Sequence, residues 1–160
     1  SNERKEVVCD QLEFEPIVDN IIEELSFLDS NERVRKNINI QQSCIFQTDK
    51  RRMAIIFRNL ISNALKYYDD SKENPFLKIE IRSNSKSAHI IIEDNGIGIS
   101  KNEQEEVFKM FYRATERSTG SGLGLYIVLE TVEKLGGVIT MSSERYKGTK
   151  FDIIIPFLNL

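Results

Sequence analysis

A stretch with two glycine clusters, residues 90–128, constrains the fold more than any other part of the chain. Three consecutive isoleucines at its start predict a buried strand, and the Asp-Asn-Gly sequence that begins at Asp94 predicts a turn after it. Gly96 and Gly98 keep side chains away from whatever lies on that turn. The pattern therefore predicts a polar acceptor at the end of a buried strand, although Asp-Asn-Gly is also a common structural hairpin turn.

The second glycine cluster, Gly120, Gly122 and Gly124, leads into an apolar periodic segment that predicts a helix ending near Leu135. A helix entered through glycines has bare N–H groups at its first turn, and these attract an anion such as a phosphate. A flexible helix entry is the alternative. The dinucleotide fingerprint is excluded because its last glycine is missing, and no G-x-x-x-x-G-K-[ST] phosphate loop occurs.

Length and composition describe one globular domain, with 160 residues, 40% of them hydrophobic and 29% charged. The net charge of -3 and the lack of a basic block argue against nucleic acid as a partner. No apolar run is long enough for direct membrane insertion, and the polar start SNERKE is unlike a signal peptide. Two cysteines without metal-site spacing are expected to be buried, reduced thiols, which favours a cytoplasmic location.

Periodicity along the chain predicts alternating helices and short strands. Helices are expected from about residue 15 to 28, from the cap at Thr48 or Asp49 to about Tyr68, and up to Leu135. Strands are expected at 6–10, 38–40, 44–46, 77–81, 88–93, 138–143 and 151–156. The long polar segment between residues 100 and 121, which carries Arg113, is expected to be functional, as a lid.

The second helix carries a polar stripe in a strongly apolar background. Asn59, Asn63 and Lys66 fall at i, i+4 and i+7 and therefore share one face. Asparagine is a poor helix former, so two of them on one stripe require a reason. Either the stripe is a solvated edge, or an amide oxygen contributes one ligand to a magnesium ion whose other ligands are phosphate oxygens and waters.

Five segments in order, NLISNALKY, DNGIGI, VFKMFYRAT, GSGLGL and KGTKF, resemble the N, first glycine, F, second glycine and final glycine-threonine boxes of sensor histidine kinases. The resemblance is to their catalytic, ATP-binding domain in the GHKL superfamily and covers Phe14 to Pro156. It implies an α+β two-layer sandwich (the Bergerat fold), with about five strands in a mixed sheet, three helices on one face and an ATP lid. Residues 1–13 would be the remnant of a preceding helical hairpin, and 14–160 the catalytic domain.

The resemblance also implies roles for individual residues. Asp94 would accept a hydrogen bond from the adenine amino group, with Thr149 supporting that contact through water. Asn63 would bind Mg²⁺ with Asn59 behind it, and Lys66 would reach the phosphates. Arg113 would balance charge on the departing γ-phosphate. Further ATP contacts are expected from Tyr67, Gly96, Gly98, Ile99, Phe108, Gly120, Gly122, Leu123, Gly124, Leu125 and Phe151.

The implied reaction is transfer of the γ-phosphoryl group of Mg-ATP to a histidine on a separate dimerisation hairpin of the same parent protein. His89, followed by Ile90 in a predicted strand, lacks the H-E or H-D context of that acceptor and is expected to be a surface residue. The parent is expected to be a homodimer that acts on a response regulator receiver domain. Alternatives are an ATP-hydrolysing clamp of the same superfamily, a serine protein kinase, or a non-catalytic nucleotide-binding module.

Overall fold

The computed structural model describes residues 6–108 and 124–159 of the chain. Within these residues, the seven strands and three long helices follow one another in the order that the periodicity predicts. Their bounds are β1 Asp10–Leu12, α1 Phe14–Glu24, α2 Ser30–Arg33, β2 Arg35–Gln42, β3 Phe46–Thr48, α3 Lys50–Lys66, β4 Phe76–Ser83, β5 Ser87–Asp94, α4 Lys101–Gln104, α5 Gly124–Lys134, β6 Val138–Glu144 and β7 Gly148–Pro156.

Five of the strands form one mixed sheet in the order β2-β4-β5-β7-β6. β2 and β4 run parallel, and the chain between them passes through β3 and α3, as a parallel pair requires. The other neighbours are antiparallel. Along β4 and β5, every second residue is buried against the helices. This alternation predicted β4, whereas β5 was predicted as a buried strand from three consecutive isoleucines, of which Ile91 is only partly buried. The predicted five-stranded mixed sheet is confirmed.

The core lies between this sheet and a layer of three helices, with α3 in the middle and in contact with both α1 and α5. The α3 side chains that face the sheet are fully buried, from Met53 to Leu65. Phe14 of α1 completes an aromatic cluster with Phe46 and Phe57, at centroid distances of 5.4 and 6.2 Å. These contacts make α3 the central element of the layer.

The structure contains five helices in its described part, where the sequence predicts three. The two additional ones, α2 and α4, are single turns of four residues each. Four residues are too few to display the 3.6-residue periodicity on which the prediction depends. The three long helices are therefore confirmed and the predicted count is wrong.

Two short strands lie a few residues away from their predicted positions. The strand predicted at 6–10 is observed at Asp10–Leu12, and the one predicted at 44–46 is observed at Phe46–Thr48. The two form their own antiparallel sheet, in which Gln11 lies opposite Gln47. Because each strand is defined by its partner, their limits depend on a contact that local sequence does not reveal.

The cysteines differ from the expectation of burial. Cys9 is half-buried, with its thiol 3.7 Å from the Gln47 side-chain oxygen, and Cys44 is exposed in the bend between β2 and β3. Both are free thiols.

The helices in the described part of the chain are too short or too polar to cross a bilayer.

The N-terminus of α3 is fixed by a buried carboxylate. Asp49 caps the helix by accepting from the amide of Arg52 at 3.1 Å, which confirms the predicted start. Its second oxygen accepts from the amide of Val8 at 3.0 Å and from the Arg52 guanidinium at 2.5 Å. The guanidinium also donates to the carbonyl of Glu6 at 3.3 Å. The segment that precedes β1 is therefore attached directly to α3.

Candidate nucleotide-binding site

Asp94 ends β5 with its carboxylate held by backbone donors. The amide of Gly96 donates to Oδ1 at 2.8 Å, and the amide of Thr149 on β7 is a second donor. Burial raises the pKa of Asp94 to about 6, and Glu93 adds to the rise, whereas the two amides and Lys72 oppose it. The result is a fixed, half-buried acceptor at the place where the sequence predicts one.

The glycine turn after Asp94 lies between α3 and the β6–β7 turn. The amide of Ile97 donates to the carbonyl of Tyr67 at 3.0 Å, and the carbonyl of Ile97 accepts from the amide of Tyr146 at 2.7 Å. A Cβ on Gly96 would lie 2.4 Å from the Tyr67 carbonyl oxygen. The turn therefore places Asp94 beside the C-terminal end of α3, where Lys66 and Tyr67 lie.

Gly98 is also required by close packing within the protein. Its φ is 67°, and a Cβ there would lie 2.0 Å from the carbonyl oxygen of Glu144. A larger residue at this position would push the turn away from the end of β6. Protein packing alone thus accounts for this glycine, and its predicted contact with ATP stays a prediction.

Asn95 fixes the other side of the turn, a role that the sequence analysis missed. Its side-chain oxygen accepts from the amide of Phe76 at 2.8 Å, and its side-chain nitrogen donates to the carbonyl of Asn74 at 2.9 Å. Lys72 donates to the Asn95 carbonyl at 2.7 Å. These contacts connect the α3–β4 loop to the turn. The only signal in the sequence was an asparagine in a turn, which is too common to indicate this role.

The polar stripe of α3 leads from this turn towards the start of α5. The residues from Asn59 to Tyr67 cover about 12 Å along the helix axis. The side-chain nitrogen of Asn59 donates to the carbonyl of Ile55 at 2.8 Å. Its oxygen faces α5, because a Cβ on Gly124 would lie 3.3 Å from it. Asn63 and Lys66 are partly buried between these two ends.

The remaining predicted residues divide into three groups. Thr149 lies opposite Asp94 in the pairing of β5 and β7. Five residues are apolar or aromatic. Phe151, on β7, is buried, and the other four are partly buried: Tyr67, Ile99, Phe108 and Leu125. Outside the described residues lie Arg113, Gly120, Gly122 and Leu123. The structure thus brings Asp94 and Thr149 together, and Asn59 and Gly124 together.

Two polar residues that the sequence analysis did not select connect this turn to β6. The hydroxyl of Ser143 accepts from the amide of Ile99 at 2.8 Å and lies 2.9 Å from both the Gly148 carbonyl and the Thr149 hydroxyl. The Gln104 side chain donates to the carbonyls of Ile99 and Ser143 at 2.9 and 2.8 Å. Neither residue carries a sequence signal, because the contacts join segments that are distant in the chain: Ser143 lies opposite Thr149 on β7, and Gln104 reaches β6 from α4.

The donor set on α3 fits a magnesium nucleotide. Mg²⁺ takes oxygen ligands and keeps several waters or phosphate oxygens, so one side-chain amide oxygen is a sufficient protein contribution. Asn63 would supply that oxygen. In the part of the chain that the structure describes, no three His, Cys, Asp or Glu side chains form a metal-binding group. The asparagine stripe offers a ligand of a different type, a side-chain amide oxygen, and its predicted role at Mg²⁺ stays a prediction.

Comparison with known proteins places this arrangement in a family. Residues 48–159 match the family described as histidine kinase-, DNA gyrase B-, and HSP90-like ATPase. The chain is 40% identical over 123 residues to the autoinducer 2 sensor kinase/phosphatase LuxQ of Vibrio vulnificus, a match that covers 73% of this chain and 14% of LuxQ. It is 36% identical over 115 residues to the sensor histidine kinase WalK of Bacillus subtilis, covering 69% of this chain and 19% of WalK. The chain therefore spans less than a fifth of either relative.

Solved structures show the same fold. The mycobacterial sensor histidine kinase MprB superposes with a TM-score of 0.76 at 22% identity, covering 96% of this chain and 100% of the MprB chain. Full-length ShkA, solved in complex with AMPPNP, gives a TM-score of 0.79 at 20% identity over 98% of this chain and 32% of ShkA. Together with the family match, these results show that the chain belongs to the histidine kinase-, DNA gyrase B- and HSP90-like ATPase family, as an ATP-binding domain of the sensor histidine kinase type.

Proposed function

We propose that this domain binds Mg-ATP and transfers its γ-phosphoryl group to a histidine on a separate dimerisation hairpin of the same parent protein. The observation that carries the proposal is the position of Asp94. Its carboxylate is fixed by the Gly96 and Thr149 amides at one end of the α3 polar stripe, and the start of α5 lies at the other end.

Adenine recognition is assigned to Asp94. An ionised carboxylate accepts hydrogen bonds only, so it suits the amino group of adenine and opposes the carbonyl group of guanine. A buried mismatch of this kind costs about 1–3 kcal/mol. Because the two backbone amides already orient the carboxylate, the interaction requires no rearrangement of the side chain.

The phosphates are assigned to the other end of the stripe. The first turn of α5, which begins at Gly124, offers bare N–H groups to an anion, and Gly124 lies against Asn59. Asn63 would hold Mg²⁺, and Lys66 would add positive charge near the phosphates. Bound Mg²⁺ would neutralise phosphate charge, while these residues orient the triphosphate for in-line attack. Arg113 is proposed to stabilise the departing γ-phosphoryl group.

The acceptor is proposed to lie outside this domain. His89 is exposed in the middle of β5, and its ring is 2.7 Å from the carboxylate of Asp152. Its neighbour is Ile90, so the acidic residue that follows an acceptor histidine is missing. Partners are therefore the hairpin, the second subunit of a parent homodimer and, indirectly, a receiver domain. ATP and the two free thiols agree with a cytoplasmic location.

The geometry of Asn59 favours a kinase over an ATP-hydrolysing clamp. The clamps place a water-activating glutamate four residues before the magnesium asparagine. Here that position is Asn59, whose amide nitrogen is bonded to the Ile55 carbonyl and whose oxygen faces Gly124. An amide side chain has no accessible basic pKa and cannot take a proton from water. Slow hydrolysis in the absence of an acceptor is the expected behaviour.

The proposal is tested by mixing the domain with γ-labelled ATP, Mg²⁺ and a separately produced histidine hairpin. We expect an acid-labile, base-stable label on the hairpin, and none when Asp94→Ala replaces the native domain. Rapid phosphate release without a hairpin would instead identify a clamp, and acid-stable label on serine substrates would identify a serine kinase. Tight ATP binding without any transfer would identify a non-catalytic module.

A further inference from the structure

The Ser143 hydroxyl occupies a central position beside the candidate base site. Ser143 lies opposite Thr149 in the pairing of β6 and β7, and both are partly buried. Its oxygen is within hydrogen-bonding distance of the Ile99 amide at 2.8 Å, the Gly148 carbonyl at 2.9 Å and the Thr149 hydroxyl at 2.9 Å. Three partners equal the full capacity of a hydroxyl group, which has one proton and two lone pairs.

These partners determine the direction of each hydrogen bond. The Ile99 amide can only donate, so it uses one lone pair of Ser143. The Gly148 carbonyl can only accept, so it receives the Ser143 proton. The remaining contact must then be a donation from the Thr149 hydroxyl to the second lone pair. The Thr149 oxygen is left with its lone pairs available and with no proton to offer elsewhere.

Thr149 is adjacent to the acceptor on β5. Its amide donates to the Asp94 carboxylate, and the two residues are paired across β5 and β7. With the proton of Thr149 committed to Ser143, both side chains present only lone pairs to a ligand. A purine with an amino group at position 6 offers a donor to this pair, directly or through one water. A 6-oxo purine offers a carbonyl, which the pair repels.

We propose that Ser143 is a positioning residue for base selection: it commits the hydroxyl proton of Thr149 and thereby makes Thr149 an obligate acceptor that disfavours 6-oxopurine nucleotides. This inference rests on the proposed function, because it requires the base to lie at Asp94. Removing the Ser143 hydroxyl frees the proton of Thr149, which can then rotate and donate to a 6-carbonyl group.

The test compares the dissociation constants of ATP and inosine triphosphate, measured by calorimetry with Mg²⁺ for the native domain and its variants. Selectivity is expressed as the dissociation constant of inosine triphosphate divided by that of ATP. Ser143→Ala is expected to weaken ATP binding and to reduce this ratio by about three- to tenfold, as for the loss of one net hydrogen bond. Ser143→Thr retains the hydroxyl and is expected to restore the native ratio. An unchanged ratio in Ser143→Ala would overturn the inference, but it would not contradict the proposal that the domain binds ATP.

A control distinguishes base selection from loss of local structure. The Gln104 side chain ties the Ile99 and Ser143 backbones together but does not touch the hydroxyls. Gln104→Ala is therefore expected to weaken the binding of both nucleotides equally and to leave the ratio of their dissociation constants unchanged. If Gln104→Ala shifts the ratio as much as Ser143→Ala, the effect is structural and the inference is wrong.

A second variant keeps the test decisive if Ser143→Ala does not fold. Thr149→Val removes the other hydroxyl of the pair and is expected to reduce the ratio to the same extent. Where both single variants fold, the double variant is expected to show no further loss, because the two hydroxyls act through one proton. Additive losses would contradict the coupling. Failure of the native domain to bind ATP would reject the proposed function itself, a result that is distinguishable from all of these.

Discussion

A Cβ atom on Gly148 would lie 1.9 Å from the carbonyl oxygen of Asp94, so the start of β7 lies too close to the end of β5 for a side chain at this position. Gly148 also has a φ of 122°, a backbone conformation that residues with a side chain rarely adopt. This approach brings Thr149 next to the Asp94 carboxylate. The geometry of the candidate base site therefore depends on the absence of one side chain.

Gly148→Ala is expected to destabilise the domain by more than the roughly 1–3 kcal/mol of backbone strain alone, because the clash adds to it. Urea unfolding measures the loss. Gly136→Ala is the matched control. Gly136 has a φ of 77°, but a Cβ there would lie 3.4 Å from its nearest neighbour, a side-chain carbon of Pro156. Strain without a clash should cost about 1–2 kcal/mol there. Equal losses in the two variants would show that the approach of the strands is unimportant.

Nucleotide affinity should depend on pH through Asp94. Its pKa is raised from 3.8 to about 6, so the acceptor becomes protonated as the pH falls below about 6, and ATP binding should weaken. NMR titration of labelled aspartate carboxyls would give the pKa directly, and bound nucleotide should lower it. Asp94→Asn cannot titrate and reports the pH dependence of the nucleotide alone. A midpoint near 3.8 in the native domain would contradict this prediction.

The two carboxylates Asp94 and Asp49 should affect folding stability in opposite directions. Raising the pKa of Asp94 in the folded state means that the cost of burying its charge is absent below pH 3.8 and that stability is lost as the pH rises towards about 6. Burial also acts to raise the pKa of Asp49, but the Val8 and Arg52 amides and the Arg52 guanidinium lower it overall. Its contribution is therefore present above pH 3.8 and is lost as the pH falls below that value.

Asp49→Ala is expected to destabilise the domain by roughly 3 kcal/mol at neutral pH, because it removes a helix cap together with a carboxylate that accepts a hydrogen bond from the buried Arg52 guanidinium. Urea unfolding at neutral and acidic pH measures both the loss and its pH dependence. Asp19→Ala, at an exposed position on α1, is the control and should change little. The prediction fails if native protein and Asp49→Ala differ by the same amount at acidic pH.

Asn63→Ala should remove most of the magnesium dependence of nucleotide binding while leaving the fold intact. Alanine is the better helix former, so unfolding experiments should show no loss of stability from helix propensity. Calorimetry of ATP binding with and without Mg²⁺ separates the metal contribution. Asn20→Ala on α1 serves as the control for an asparagine away from the stripe. Full magnesium dependence in Asn63→Ala would reject Asn63 as the metal ligand.

The sequence was most informative where a residue acts through its own segment. The limits of α3 followed from the Asp49 cap and the apolar face, and the inner face of β4 followed from alternation, whereas β5 was predicted from its run of isoleucines. The five ordered motifs predicted the family and the mixed sheet, both of which are confirmed. Local patterning was sufficient here because each of these elements is long enough to show its periodicity.

Features that depend on pairing between segments were beyond local patterning. The limits of β1 and β3 depend on each other, and one-turn helices leave no periodic signal. Ser143 looked like any strand residue, since its importance arises from its position opposite Thr149. Sequence therefore predicts which residues carry chemistry, while contacts between distant segments determine which residues orient them.

The attachment of the entering segment to α3 has a mechanical consequence. Val8 is bonded to Asp49 at the first turn, and Asn63 lies fourteen residues further on, about 21 Å along one uninterrupted helix. A packed helix of this length transmits displacement with little bending. A displacement of the chain ahead of β1 is therefore expected to reach the candidate metal ligand along α3.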